Sequence, residues 1–236
     1  MLILAAPCAA SDANPPTTTA LYSGSTGSNG WNTSSVNLTL SASDDDSGVN
    51  YTSYDLDGTG WRNYTGKITI SSDGLHTVQY HSVDLANNTE ATKNLSIRID
   101  KTAPSIDIEQ TNGSMYGTGS VRISWTAYDA TSGLDYFEVF SDGALFDHLD
   151  NSTREDRVTN LAGGWHNVTV RAHDLAGNIR DQRLTFQVFG GAGDSGISND
   201  IAIVLVIAIV VVATAVAIVL LRRRTRPPGS DVTEKE

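Results

Sequence analysis

The chain has 236 residues, with 27 Asp and Glu against 16 Lys and Arg, and a single cysteine. Its net charge of −11 opposes binding to nucleic acid or to anionic lipid surfaces, and one cysteine excludes an intrachain disulfide. A chain of this length has room for one or two domains, whose cores must supply the stability that disulfides supply elsewhere.

The first residues, MLILAAPCAA, are apolar and end in small side chains. They predict the remnant of a secretory signal peptide over 1–13, with a small-x-small cleavage site near Ala10 or Ala13, although its basic start is missing. A lipoprotein cysteine at Cys8 is the alternative, and Pro7 directly before it fits that poorly.

From Asn14 to Gly190 one unit is written twice. Ser41-Ala-Ser-Asp-Asp-Asp-Ser-Gly48 aligns with Thr126-Ala-Tyr-Asp-Ala-Thr-Ser-Gly133, and Asp57-Gly58 with Asp142-Gly143, both at an offset of 85. Gly74-Leu-His-Thr-Val78 aligns with Gly164-Trp-His-Asn-Val168, and Val83-Asp-Leu-Ala-Asn-Asn88 with His173-Asp-Leu-Ala-Gly-Asn178, at an offset of 90. The units are therefore 14–101 and 102–190, with Pro16 and Pro104 near their starts.

Within each unit the apolar period is two, the period of a strand with one buried face. Val36, Leu38, Leu40 and Ala42 alternate with polar residues, as do Val121, Ile123, Trp125 and Ala127. Val78 and Tyr80 correspond to Val168 and Val170; Leu95, Ile97 and Ile99 correspond to Leu184, Phe186 and Val188. Turn signals at Ser47-Gly48, Asp57-Gly58, Asp73-Gly74 and Asn178 separate them. The segment 22–32, YSGSTGSNGWN, reads as an irregular loop or weak edge strand. The expected fold is all-β: two tandem Ig-like antiparallel β-sandwiches, with a small β-barrel as the alternative.

The first unit carries Gly30-Trp31, Asp46-Ser-Gly-Val49, Tyr54-Asp-Leu-Asp-Gly58, Trp61, Tyr64-Thr-Gly66, Asp73-Gly-Leu-His-Thr-Val78, Asp84, Asn88 and Asp100-Lys-Thr-Ala-Pro104. This pattern resembles the Ig-like repeat first named after a spirochaete outer-membrane protein. The second unit is a looser match, closer to generic prokaryotic Ig-like repeats. The resemblance implies a surface module, used in spacers, in adhesins and beside secreted enzymes; it implies no particular function.

Nine Asn-x-Ser/Thr sequons start at Asn32, Asn37, Asn50, Asn63, Asn87, Asn94, Asn112, Asn151 and Asn167. Chance would give about three, so N-glycosylation is expected where the machinery exists. The acidic run Asp44, Asp45, Asp46 ends one strand and Asp84 ends another, and the second copy repeats the pair as Asp129 and Asp174. Carboxylates gathered at one pole are hard oxygen ligands suited to calcium; the competing reading is that each caps a turn through backbone amides. No other cofactor is expected.

His76 and His166 occupy equivalent inward positions, which resembles the tyrosine corner of Ig-like sandwiches, where a ring packs and hydrogen-bonds backwards. His81, His148 and His173 form no zinc-ligand spacing, and no nucleophile elbow or phosphate loop is present, so no catalytic residue is assigned. Trp125 belongs to the core by its period, while Trp61 and Trp165 lie near loops and are the candidates for stacking on sugars.

After the second unit, 191–200 reads as a flexible Gly/Ser linker. Residues 201–221, IAIVLVIAIVVVATAVAIVLL, contain no charge, Gly or Pro. As a helix they reach about 30 Å, the thickness of a bilayer's hydrocarbon core. Arg222, Arg223, Arg224 and Arg226 follow directly, and the positive-inside rule places them in the cytoplasm, with the units outside. The polar tail 222–236 is too short to fold. It holds five basic and three acidic residues, leaving 11 basic against 24 acidic in the rest, a net of −13 that suits a soluble surface or cation binding. The sequence thus points to a single-pass surface protein, a structural or interaction module rather than an enzyme. Its expected partners are the membrane and envelope glycans or surface proteins; a glycan- or protein-binding adhesin or receptor is the alternative.

Overall fold

The computed structural model describes residues 12–190. The expected signal remnant up to residue 11, the linker, the span 201–221, the four arginines and the tail lie outside the described residues. Among the described residues no helix is long and apolar enough to cross a membrane.

The first repeat forms β1 (Thr17–Ser23), β2 (Trp31–Asn32), β3 (Val36–Ser43), β4 (Val49–Leu56), β5 (Arg62–Asn63), β6 (Ile68–Ile70), β7 (Gly74–Asp84) and β8 (Lys93–Ile99). The second forms β9 (Ser105–Ile108), β10 (Ser114–Tyr116), β11 (Val121–Tyr128), β12 (Leu134–Ser141), β13 (Ala144–Asp150), β14 (Glu155–Val158), β15 (Gly164–Asp174) and β16 (Ile179–Val188). In the first repeat the sheets run β1-β3-β6 and β2-β8-β7-β4-β5; in the second, β14-β11-β9 and β10-β16-β15-β12-β13. The two orders are the same arrangement repeated. Each repeat has two separate sheets rather than one closed sheet, so both are Ig-like β-sandwiches and the barrel alternative is discarded.

The alternation seen in the sequence becomes the core. Val36, Leu38 and Leu40 of β3, Ile70 of β6, Val78 and Tyr80 of β7, and Ile97 and Ile99 of β8 form one buried cluster. In the second repeat Val121, Ile123 and Trp125 of β11 and Phe137 and Val139 of β12 are buried in the same way. The Trp125 and Phe137 rings meet edge-on at 5.6 Å. The 22–32 stretch is a loop that ends in a weak edge strand, as expected: β1 continues to Ser23, and Trp31–Asn32 pairs in parallel with β8 at the sheet edge. A two-residue parallel strand has no sequence period to betray it.

Of the described residues, 12–111, 122–156 and 167–184 form one compact unit, and 112–121, 157–166 and 185–190 form another. Within the smaller unit, Phe189 N–H donates to Tyr116 O at 2.8 Å, and the Tyr116 and Phe186 rings meet edge-on at 5.4 Å. The aspartate groups described below lie in the larger unit, whereas Asn112, Trp165 and His166 lie in the smaller one.

Candidate metal centres and surface features

In each repeat the loop after the third strand meets the turn that follows Asp84 or Asp174. The turn is built alike twice: Leu85 N–H donates to Gly48 O and Leu175 N–H to Gly133 O, both at 2.9 Å. Gly48 and Gly133 have φ of 91° and 87°, a region where a side chain is strained. Asp44 Oδ1 accepts from Gly48 N–H, and Asp129 Oδ1 from Gly133 N–H, each at 2.7 Å. Asp84 accepts from the backbone and side-chain amides of Asn88 at 2.7 and 2.8 Å; Asp174 accepts from those of Asn178, both at 2.8 Å.

A third carboxylate completes each group. Asp12 joins Asp44 and Asp84, and Asp100 joins Asp129 and Asp174; in each triad the ligand oxygens lie within 4.8 Å of one another. Asp12 accepts from Asn14 and Ser47 N–H, and Asp100 from Thr102 and Ser132 N–H. The structure therefore brings four of the expected acids together in two pairs and adds Asp12 and Asp100. Asp45 and Asp46 are exposed and lie outside the triad; Asp44 is the residue of the run that caps the loop.

The triads differ in burial. Asp84, Asp100 and Asp174 are buried, whereas Asp12, Asp44 and Asp129 are half-buried. Among the described residues no Lys, Arg or His pairs with any of the six. Desolvation pushes the Asp174 carboxyl up, with repulsion from Asp100 and Asp129 adding to it, against the hydrogen bonds from Asn178. Asp12 is held below the usual range by its hydrogen bonds to Ser47 and to Asn14 N–H. Each triad is thus both a set of turn caps and a concentration of negative charge. Three carboxylates within 4.8 Å of one another supply the hard oxygen donors that a cation such as calcium takes.

His76 is buried, with Nδ1 at 2.8 Å from Asp57 Oδ2 and Nε2 at 3.0 Å from Ser72 O. Nδ1 ties the ring to the Asp57-Gly58 turn and Nε2 ties it back to Ser72, a structural role. Desolvation opposes ionisation of Asp57, but His76 and Thr77 N–H prevail and hold its carboxyl below the usual range. In the smaller unit His166 Nε2 lies 2.9 Å from Ala162 O, the same backward contact across four residues as His76 makes with Ser72.

Two features carry no clear sequence signal. Glu90 is buried where it accepts from Thr18 and Ser82 and pairs with Lys93 at 2.9 Å. Its alignment partner at an offset of 90 is Arg180, so the repeat does not reveal it. Tyr136 stacks between His148 at 4.5 Å and His173 at 4.0 Å, and His173 Nε2 meets Glu138 at 3.0 Å.

Trp61 is 47% exposed and meets His81 edge-on at 4.4 Å; Trp165 is 62% exposed. Of the sequon residues, Asn50, Asn63, Asn87, Asn94, Asn112 and Asn151 are exposed, and Asn37 and Asn167 half-buried. Asn32 differs: it is buried, with its amide N–H donating to Arg98 O at 3.0 Å, and leaves no room for a glycan without local opening.

No protein-family description and no curated protein matches the chain. Similar solved structures include the fibronectin(III)-like modules of Clostridium thermocellum CbhA, at 14% identity, covering 77% of this chain and 98% of that one, with a TM-score of 0.41. A segment of two fibronectin type III domains from chicken tenascin is 11% identical over 74% of this chain and 99% of its own, with a TM-score of 0.37. The D00-D0 domain of intimin is 12% identical over 71% and 99%, with a TM-score of 0.37.

Proposed function

We propose that this protein is a single-pass, cell-surface Ig-like module that acts as a spacer or interaction surface, N-glycosylated on its exposed sequons. The observation that carries the reading is the uncharged segment 201–221, with Arg222, Arg223, Arg224 and Arg226 directly behind it, following two Ig-like sandwiches. The tandem sandwiches supply length and stiffness, and the acidic balance keeps them soluble and apart. This is a non-catalytic role, with envelope glycans or surface proteins as partners. The motif resemblance of the first unit to the spirochaete-named repeat supports the same surface setting. Calcium bound by Asp12, Asp44 and Asp84, and by Asp100, Asp129 and Asp174, would stiffen the two poles. Protease added to intact cells should remove both sandwiches and leave a small anchored stub; protection of the sandwiches would overturn the topology.

The exposure of Trp61 and Trp165 favours a second reading, an adhesin or receptor that stacks a sugar on these rings. A glycan array probed with the ectodomain separates the two. Binding that is lost in Trp61→Ala or Trp165→Ala supports the adhesin, and an empty array supports the spacer.

A further inference from the structure

The two copies of the Asp-Leu-Ala turn are folded alike but covered differently. At the second, the loop between β1 and β2 reaches it: Ser28 N–H donates to Ala176 O at 2.8 Å, and Asn29 Nδ2 donates to Leu175 O at 2.9 Å. Ala176 is fully buried there. The approach is close enough to demand glycine, since a Cβ on Gly27 would lie 2.3 Å from Ala176 O. The loop is braced for this role by its own bonds, Gly27 N–H to Trp31 O and Trp31 N–H to Ser28 O, both at 2.9 Å.

Among the described residues, nothing comparable covers the first copy. Leu85 is 62% exposed and Ala86 is exposed too, although Asp84, Asn88 and Gly48 hold the turn in the geometry of its covered twin. The chain path into the two poles also matches. Asn88 Nδ2 donates to Asp12 O and Asn14 O, as Asn178 Nδ2 donates to Asp100 O and Thr102 O. The first pole therefore has the form of a surface that is already an interface at the second pole, without its cover.

The occupant follows from what covers the second pole. A second copy of the chain fits poorly, because its Gly27–Asn29 loop is already seated on its own Leu175–Ala176, and an intramolecular contact prevails through effective concentration. Its other end offers no substitute: the corresponding 109–113 loop is shorter, and Gly113 N–H turns back onto Thr185 O at 2.8 Å. We propose that the Leu85–Ala86 turn is the docking face for a further Ig-like module that presents a small-residue loop of the Gly27–Asn29 kind. Such a loop would bring a backbone N–H to Ala86 O, a side-chain amide to Leu85 O, and a glycine at the point of closest approach.

The test uses thiol labelling of the full-length chain in detergent, with Cys8→Ser and Ala86→Cys. A second protein carries an extra copy of 14–99 directly before Asp12, so that a copied Ile99 leads into Asp12 as Ile99 leads into Asp100. Maleimide labelling at position 86 should slow at least tenfold in the extended chain, and Gly27→Trp in the inserted copy should restore the rate. As calibration, Ala176→Cys in the parent chain should label slowly and speed up with Gly27→Trp. Equal rates at position 86 in the two chains overturn the proposal, as does an inserted copy digested by protease while the rest survives. Labelling of the parent that is slow and quickens on dilution also overturns it, by assigning the face to a second copy.

Discussion

Neutralising Asp174 should have opposite effects with and without a divalent cation. In chelator the second triad places three carboxylates within 4.8 Å of one another, with Asp100 and Asp174 buried. Two unit charges at that spacing repel by about 3–4 kcal/mol at an effective dielectric of about 20. Burial and this repulsion push the Asp174 carboxyl up. A carboxyl raised on folding costs stability when ionised, so in chelator the fold should gain stability as pH falls from the folded value towards the ordinary 3.8. Asp174→Asn removes that cost and should leave the melting temperature in chelator equal or higher. With calcium the sign reverses: at free calcium about a hundredfold above Kd the site adds about 2.7 kcal/mol. At about 4–8 °C per kcal/mol for a domain of this size, that is a rise of roughly 10–20 °C, which Asp174→Asn should abolish. Calorimetry of the tandem sandwiches in millimolar calcium and in chelator measures both arms. The second repeat should respond more than the first, because two of its three acids are buried rather than one. Superimposable melting curves in the two buffers, or a variant equally destabilised in both, would refute the reasoning and leave the six aspartates as turn caps alone.

Trp125→Ala should cost about 3–5 kcal/mol in denaturant unfolding, the range for losing a buried large aromatic, and a cost below about 1 kcal/mol would contradict its packing. Trp125→Phe should cost much less, because the buried indole N–H it removes has no hydrogen-bond partner. Asp57, whose carboxyl is held down by His76 and Thr77, contributes stability that is present above about pH 4 and lost as pH falls through its folded value. Asp57→Asn should flatten that acid limb of the melting-temperature curve, and an unchanged limb counts against the pairing. Glycopeptide mass spectrometry of the native protein should find glycan on the exposed sequons, Asn50 and Asn94 among them, and none on Asn32; occupied Asn32 would contradict its burial.

Period two placed Val36, Leu38, Leu40, Val121, Ile123 and Trp125 correctly because each sheet has one buried face, and alternation is the direct imprint of that geometry. The duplicated Asp44/Asp129 and Asp84/Asp174 pairs were legible because they sit inside the aligned blocks. Asp12 and Asp100 were not: each stands ahead of its unit's first strand, so the chosen boundaries put one outside its unit and the other at the end of the preceding one. Their shared spacing to Pro16 and Pro104, Asp-x-x-x-Pro, was the available signal. A charge run carries no direction, and the backbone decides that Asp44 rather than Asp45 or Asp46 caps the loop. The Gly27–Asn29 loop had no signal in the repeat, since its counterpart at 109–113 is shorter and differs in sequence.

The position of Asp100 gives the second triad a consequence that the first lacks. Its N–H donates to Asn32 O at 2.9 Å, extending the β2–β8 pairing of the first sandwich, while its carboxylate accepts from Ser132 N–H in the second. One residue is therefore held by both sandwiches, and its neighbour along the chain, Lys101, pairs with Asp73 of the first. Together with Ser28 and Asn29 on the Leu175–Ala176 turn, the strand end and the loop make separate attachments to the same pole. A hinge needs a segment free to change its backbone angles, and both connections here are committed to hydrogen bonds. Any change in the charge state of Asp100, Asp129 and Asp174, whether by protonation or by a bound cation, acts on this joint. The equivalent change at Asp12, Asp44 and Asp84 acts beside the exposed Leu85–Ala86 turn, where it would bear on docking instead.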